Sequence, residues 1–209
     1  MSLHTLVNKV KSLKENRRIR RKVKERIEKF EKLPPDMWFS ELCFCILTAN
    51  SSAEVGIKAQ KELRLNGFLS MSKEDTAREL RRLGHPYPER RAEYIVEARE
   101  HKDIYKKISS FKDERVARDW LVRNIKGIGY KEASHFLRNV GFKNVAIIDR
   151  HILKVMVKHG LIEKTPKTLT RKKYLELEEK LKEVAEETGL SLAELDLYLW
   201  YMETGRILK

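Results

Sequence analysis

Apolar residues recur along this chain at spacings of three and four, and no window alternates apolar with polar residues in the rhythm of a half-buried strand. The pattern predicts an all-α fold. Leu3 to Leu33 reads as one or two basic helices, stopped by Pro34-Pro35, and Asp36 then caps an apolar helix running to about Asn50. Further helices are expected over Ala53 to Leu65, Lys73 to Leu83 and Glu89 to Ile108, with Ser72/Asp75 and Ser110/Asp113 as helix starts. Arg115 to Ile125 and Glu132 to Val140 flank a glycine turn, another helix begins near Asp149, and two close the chain, Arg171 to Thr188 and Leu192 to Ile207. Ser191 and Glu194 form a capping box for the last of these.

A length of 209 residues is enough for two small helical lobes sharing a groove. Lys plus Arg number 45 against 31 Asp plus Glu, a formal charge of +14 that favours a polyanionic partner, nucleic acid first among them. Charged residues at 36% also suit a surface laced with ion pairs, which accounts for the abundance of charge but not for its sign. Twelve basic residues against four acidic ones lie before Pro34, with Arg17, Arg18, Arg20, Arg21, Lys22 and Lys24 crowded together as a phosphate grip or a solvated helix face. The two cysteines, Cys43 and Cys45, sit inside the apolar run Leu42 to Leu47 and read as core thiols of a reducing compartment. Nothing offers the four-cysteine spacing of an iron–sulfur cluster, and neither a signal core nor a membrane-length apolar stretch is present. The expectation is a soluble, intracellular protein without a membrane partner.

The chemistry concentrates in Lys126-Gly127-Ile128-Gly129-Tyr130-Lys131, followed at a short interval by Ile147-Ile148-Asp149-Arg150-His151. Gly127 and Gly129 permit a tight turn and close approach of another chain, and the helix beyond them presents first-turn amides suited to a phosphate. A free lysine is protonated at neutral pH and is no nucleophile until its surroundings favour the neutral form. The first turn of a helix and burial in a cleft both act in that direction for Lys131, and Lys126 and Arg150 would add to the effect if close. The neutral amine can then attack C1′ of a deoxyribose to form an imine, while an ionised Asp149 stabilises the oxocarbenium-like sugar as the base departs. Taken singly, Lys131 is an ordinary first-turn lysine and Asp149 an ordinary helix cap; together, behind a Gly-x-Gly turn in a basic all-α chain, they read as a catalytic pair.

Helix, Gly-x-Gly turn and helix, followed by Lys131 and one helix later by Asp149, resemble the helix-hairpin-helix superfamily of DNA glycosylases, to which endonuclease III and the 8-oxoguanine glycosylases belong. The missing cysteine cluster sets the chain apart from typical endonuclease III, and Lys131 sets it apart from the monofunctional adenine-removing relatives. The compact length and the ending Gly205-Arg206-Ile207-Leu208-Lys209 resemble the archaeal-type, or second, 8-oxoguanine glycosylase family.

The resemblance implies a lobe made of residues 1–40 and 146–209, a helical-barrel lobe of residues 41–145 holding the hairpin at about 115–140, and a lesion cleft between them. It implies a bifunctional enzyme that excises 8-oxoguanine from duplex DNA through a lysine Schiff base and cleaves the strand by β-elimination. That reaction needs no cofactor and no metal, and the protein is expected to act on damaged double-stranded DNA as a monomer. The alternatives are the same mechanism on another damaged base, and a non-catalytic helix-hairpin-helix DNA-binding module.

A flipped base must regain its lost stacking on the protein. Trp200 on the last helix is the expected platform, with Tyr87 or Pro88 of the His85-Pro86-Tyr87-Pro88 run on the opposite face. Asp196, one turn before Trp200, is either an acceptor for the guanine edge or an exposed helix acid, and in the resembled family the carboxylate of a terminal lysine, here Lys209, reaches the base. Asn50, where polar residues abruptly end an apolar helix, matches the loop that fills the hole left by the base, and also reads as a helix C-cap. Lys126, Gly127, Gly129 and Arg150 complete the expected DNA contacts, and His151 is given no catalytic role.

Overall fold

The computed structural model describes residues 3–209 as twelve α-helices joined by turns, with no strand among the described residues. No helix among the described residues is long and apolar enough to cross a membrane. The helices divide into two compact units, Leu33–Val140 and a unit joining the described residues up to Lys32 to Gly141–Lys209. These divisions fall before the positions 40/41 and 145/146 expected from sequence, because Pro34-Pro35 already breaks the chain and Gly141, at φ +98°, turns it immediately behind a helix.

The unit Leu33–Val140 is built around α3 (Trp38–Thr48), every residue of which is buried. Against it pack α4 (Ala53–Ser70), α6 (Pro88–Ala98), α7 (Ile104–Ser109) and α9 (Tyr130–Asn139). α5 (Lys73–Arg82) pairs with α6, and α8 (Glu114–Asn124) with α9. A helix enclosed on all sides must satisfy any polar side chain internally. Glu41 does so by accepting from Asn139 Nδ2 at 2.6 Å and Gln60 Nε2 at 3.3 Å, while Arg138 Nε donates to Asn139 Oδ1 at 2.9 Å. Cys43 and Cys45 are buried and form no disulfide, and burial pushes the Cys43 thiol well up.

Several local expectations shift here. Asp36 lies inside a 3₁₀ turn, Pro35–Met37, so α3 starts at Trp38 without a side-chain cap. α4 continues past Leu65 to Ser70 across a kink at Arg64, whose φ of 54° breaks the helical backbone where the continuous pattern fades. The expected single helix Glu89–Ile108 is interrupted by a 3₁₀ turn at Arg99–His101. Ser72 does cap α5, accepting from Asp75 N at 3.0 Å, but Ser110 ends α7 and the cap of α8 is Asp113, which accepts from Arg115 N at 2.7 Å.

The second unit contains α1 (Leu3–Glu15), α2 (Arg17–Glu31), α10 (Arg150–Lys158), α11 (Arg171–Thr188) and α12 (Leu192–Thr204). Asn16 separates the two basic helices by capping α2, its side chain accepting from Arg18 N and Ile19 N. α2 buries Ile19, Val23, Ile27 and Phe30 and leaves Arg17, Arg18, Arg20, Arg21, Lys22 and Lys24 exposed. The Ser191/Glu194 capping box of α12 forms as expected, whereas the helix stops at Thr204, before Ile207, because Gly205 takes the left-handed conformation at φ +69°.

Between Val145 and Asp149 the chain runs without helix, and α11 supplies the partners its backbone lacks. Tyr174 Oη accepts from Ile148 N at 3.1 Å and donates to Ala146 O at 2.7 Å, and Glu178 Oε1 accepts from Ala146 N at 2.8 Å. Both side chains are almost fully buried, so the segment that delivers Asp149 to α10 is fixed from behind. Tyr174→Phe leaves two buried backbone groups unpaired and is expected to lower stability by about 2–4 kcal/mol, read from chemical denaturation midpoints.

Candidate active site

The hairpin forms from residues 125–129 between α8 and α9. Gly127 sits at φ +81°, and a Cβ there would lie 2.4 Å from Tyr94 Cδ2 and 3.1 Å from Arg91 Nη1. Left-handed backbone and close approach therefore both demand glycine. Gly127→Ala combines that strain with a clash and is expected to cost about 2–5 kcal/mol, visible as a lowered thermal midpoint together with weakened duplex binding. Gly129 differs from the expectation of two turning glycines, since at φ −99° and ψ −172° it is ordinary extended backbone. Its small size serves proximity instead, because a Cβ would stand 3.3 Å from Glu132 Oε2.

Lys131 occupies the first turn of α9, as expected, with its side chain 27% exposed. Its Nζ lies 2.9 Å from Glu132 Oε1, while Glu132 Oε2 accepts the Gly129 N–H at 3.2 Å. One amide of the hairpin is thus already satisfied by a carboxylate, and the amine is held by the same group. Next to it, Tyr130 Oη donates to Asp119 Oδ1 at 2.7 Å, and the fully buried Arg118 guanidinium lies 5.5 Å from the Tyr130 ring centre. Lys126 is exposed and paired with Glu97 at 2.9 Å, a hydrogen bond that pushes its ammonium up and that a phosphate would have to replace.

Two buried side chains, Arg91 and His85, hold the Asn50 turn in the same unit. Arg91 Nη2 donates to Ala49 O at 2.6 Å, and His85 Nε2 bonds Leu47 O at 2.8 Å, so the carbonyls ending α3 are capped by a guanidinium and an imidazole. Asn50 itself takes φ +55° and is exposed. His85 Nδ1 accepts the Tyr87 N–H at 3.1 Å, which fixes the tautomer with the proton on Nε2. Tyr87 is 47% exposed, whereas Pro88 is buried as the first residue of α6, so only Tyr87 of that pair presents a ring face outward.

Burial holds both His85 and His159 below the ordinary imidazole range. They stay neutral in the fold while the unfolded chain takes up protons near pH 6.5, so their contribution is intact above that pH and lost as pH falls through the lowered values. The thermal midpoint should accordingly begin to drop as pH falls below about 6.5, and the drop should flatten in a variant lacking both histidines.

In the other unit, Asp149 caps α10 as expected. Its Oδ1 accepts from His151 N at 2.8 Å and from Ile152 N at 2.9 Å, which leaves Oδ2 outside the cap. Arg150 is exposed as the first residue of the helix. The His151 ring meets Trp200 edge to face with centroids 4.7 Å apart, and both His151 Nδ1 and Trp200 Nε1 are buried without a hydrogen-bond partner. Such orphaned polar atoms beside an aromatic face suit a planar, hydrogen-bonding ligand. Asp196 is 9% exposed and lines a small cavity with Ile147, Ile152 and Leu199, which removes the reading of it as an exposed helix acid. Lys209 is half-buried.

The expected residues therefore fall into two groups: Lys126, Gly127, Gly129, Lys131, Asn50, Tyr87 and Pro88 in the central unit, and Asp149, Arg150, Asp196, Trp200 and Lys209 in the terminal one. The supports that sequence reading missed are Arg91, Glu132, Tyr174 and Glu178. Only Glu178 carried a readable signal, an acid on the apolar face that α11 forms with Tyr174, Leu177 and Leu181.

A family profile described as 8-oxoguanine DNA glycosylase matches residues 19–190. The 8-oxoguanine DNA glycosylase/AP lyase of Methanocaldococcus jannaschii is 53% identical over 207 residues, covering 98% of this chain and 99% of that protein. Its crystal structure in complex with a 15mer DNA containing 8-oxoguanine superposes with a TM-score of 0.94 at 51% identity, covering 98% of this chain and 100% of that one. The 8-oxoguanine DNA glycosylase of Thermotoga maritima gives 0.92 at 44% identity, covering 99% and 100%.

Proposed function

The chain belongs to the 8-oxoguanine DNA glycosylase family, and from that premise we propose that it excises 8-oxoguanine from duplex DNA and then cleaves the strand as an AP lyase. The observation that carries the mechanism is Lys131 on the first turn behind the Gly127 hairpin, with Asp149 capping α10 through one carboxylate oxygen only. Lys131 Nζ attacks C1′ as the base leaves, forming a carbon–nitrogen bond while the glycosidic bond breaks. Asp149 stabilises the positive charge that develops on the sugar. The nitrogen gives up its proton, and the C1′–O4′ bond then breaks as O4′ takes a proton, so the ring-closed adduct opens to the imine; loss of a C2′ proton from that imine expels the 3′ phosphate by β-elimination, and hydrolysis by water returns the amine.

Base recognition falls to Trp200 as the stacking platform, with Tyr87 as the opposing face and Asp196 and the Lys209 carboxylate as polar readers. The unpartnered Trp200 Nε1 and His151 Nδ1 support this placement. Lys126, Arg150 and the hairpin hold phosphate, Asn50 addresses the unpaired partner base, and the net positive charge draws the duplex in. The protein works as a monomer in the cytoplasm, associated with the nucleoid through its substrate.

Borohydride trapping on duplexes carrying different lesions tests the reading. A covalent complex is expected with 8-oxoguanine in preference to other oxidised or alkylated bases. Equal trapping across lesions would leave the mechanism and remove the substrate, and no trapping with any lesion or with an abasic site would favour a DNA-binding module.

A further inference from the structure

Residues adjacent in sequence do not face each other on a helix. The contact of Lys131 Nζ with Glu132 Oε1 at 2.9 Å is therefore no by-product of helical spacing; the lysine side chain folds over the first turn to make it. Glu132 is well fixed for this purpose. It is only 9% exposed, its other oxygen is anchored on the Gly129 N–H at 3.2 Å, and the Arg91 guanidinium supplies a neighbouring positive charge. One carboxylate thus engages both working parts of the hairpin, the turn that shapes it and the amine it presents.

We propose that Glu132 is a positioning residue for the imine chemistry: it holds the Lys131 amine in a resting ion pair that must open before Nζ can reach the sugar. The inference rests on the imine reading of Lys131. While the pair is closed, Nζ is directed at the Glu132 carboxylate and not at C1′. Opening it releases the amine from a defined position on the hairpin, so the same contact restrains the nucleophile and aims it.

The two effects separate in the pH dependence of a single-turnover reaction. Trapping by borohydride at a preformed abasic site, with duplex saturating, is measured across pH for the unsubstituted chain and for Glu132→Gln. The amide oxygen can still accept the Gly129 N–H, so the fold is retained, which a thermal melt verifies. With the carboxylate that holds the amine removed, the acid limb of the profile is expected to move to lower pH, giving more complex at a fixed pH on that limb. The plateau at high pH is expected to fall because aim is lost. A limb that stays in place while the plateau falls would reduce Glu132 to a brace for the turn and overturn the proposal, and a shift to higher pH would overturn it by making Glu132 a proton acceptor. If the glutamine variant does not fold, Glu132→Asp loosens the same contact by one methylene and must move the limb in the same direction by less; an unmoved limb there overturns the proposal equally. Absence of any trapped complex in the unsubstituted chain removes the imine itself, a failure distinct from an unmoved limb.

Discussion

Lys131→Gln is expected to abolish the borohydride-trapped complex and to lower strand cleavage at an 8-oxoguanine site by ~10³-fold or more, the scale on which enzymes lose activity when a nucleophile is deleted. The substitution is mild for the fold. Lys131 lies on the first turn of α9 with its side chain partly exposed, and glutamine has nearly the same helix propensity. Its amide can still meet Glu132 but has no basic nitrogen with which to form an imine. Duplex binding should change little, because one ammonium among the basic residues is lost while the Gly127 turn and the first-turn amides remain. Electrophoresis of the reduced reaction reads the covalent complex, and a binding isotherm on the same duplex separates loss of chemistry from loss of affinity. Persistent trapping would place the imine on another amine.

Asp149→Asn should slow base release by about 10²–10³-fold, the scale of removing one preorganised electrostatic group from a developing charge. Asparagine caps helices as well as aspartate does, and its carbonyl oxygen can accept from His151 N and Ile152 N as Oδ1 now does. Stability and lesion binding are therefore preserved, and only the negative charge disappears. Imine formation at a preformed abasic site, which has no base to expel, should suffer less than excision of 8-oxoguanine. Equal losses in the two assays, or a lowered thermal midpoint, would make Asp149 a structural cap.

The parts of this site that could be read from sequence are those whose local chemistry is self-sufficient. Pro34-Pro35, the Gly-x-Gly spacing and the Ser191/Glu194 box act within a few residues of themselves, and each marks the break, turn or cap it suggests. Lys131 and Asp149 were legible for the same reason, since each stands at a helix start defined by its immediate neighbours. Arg91 was not. It donates to the Ala49 carbonyl and lies against the Gly127 turn, two places far apart in sequence, and nothing in a run of basic residues distinguishes the arginine that goes inward. Tyr174 and Glu178 likewise acquire their roles only when α11 lies behind Ala146–Ile148. Gly129 was misread because two glycines in one turn look alike on paper, although one bends the chain and the other only makes room.

The central claim is that one lysine, at the hairpin, carries the covalent chemistry on an 8-oxoguanine substrate. Peptide mapping by mass spectrometry of the borohydride-reduced complex formed with an 8-oxoguanine duplex tests it most directly. The account predicts a sugar-derived adduct on the peptide containing Lys131 and on no other amine of this lysine-rich chain. An adduct on Lys126, on the N-terminal amine or on any other lysine would contradict it.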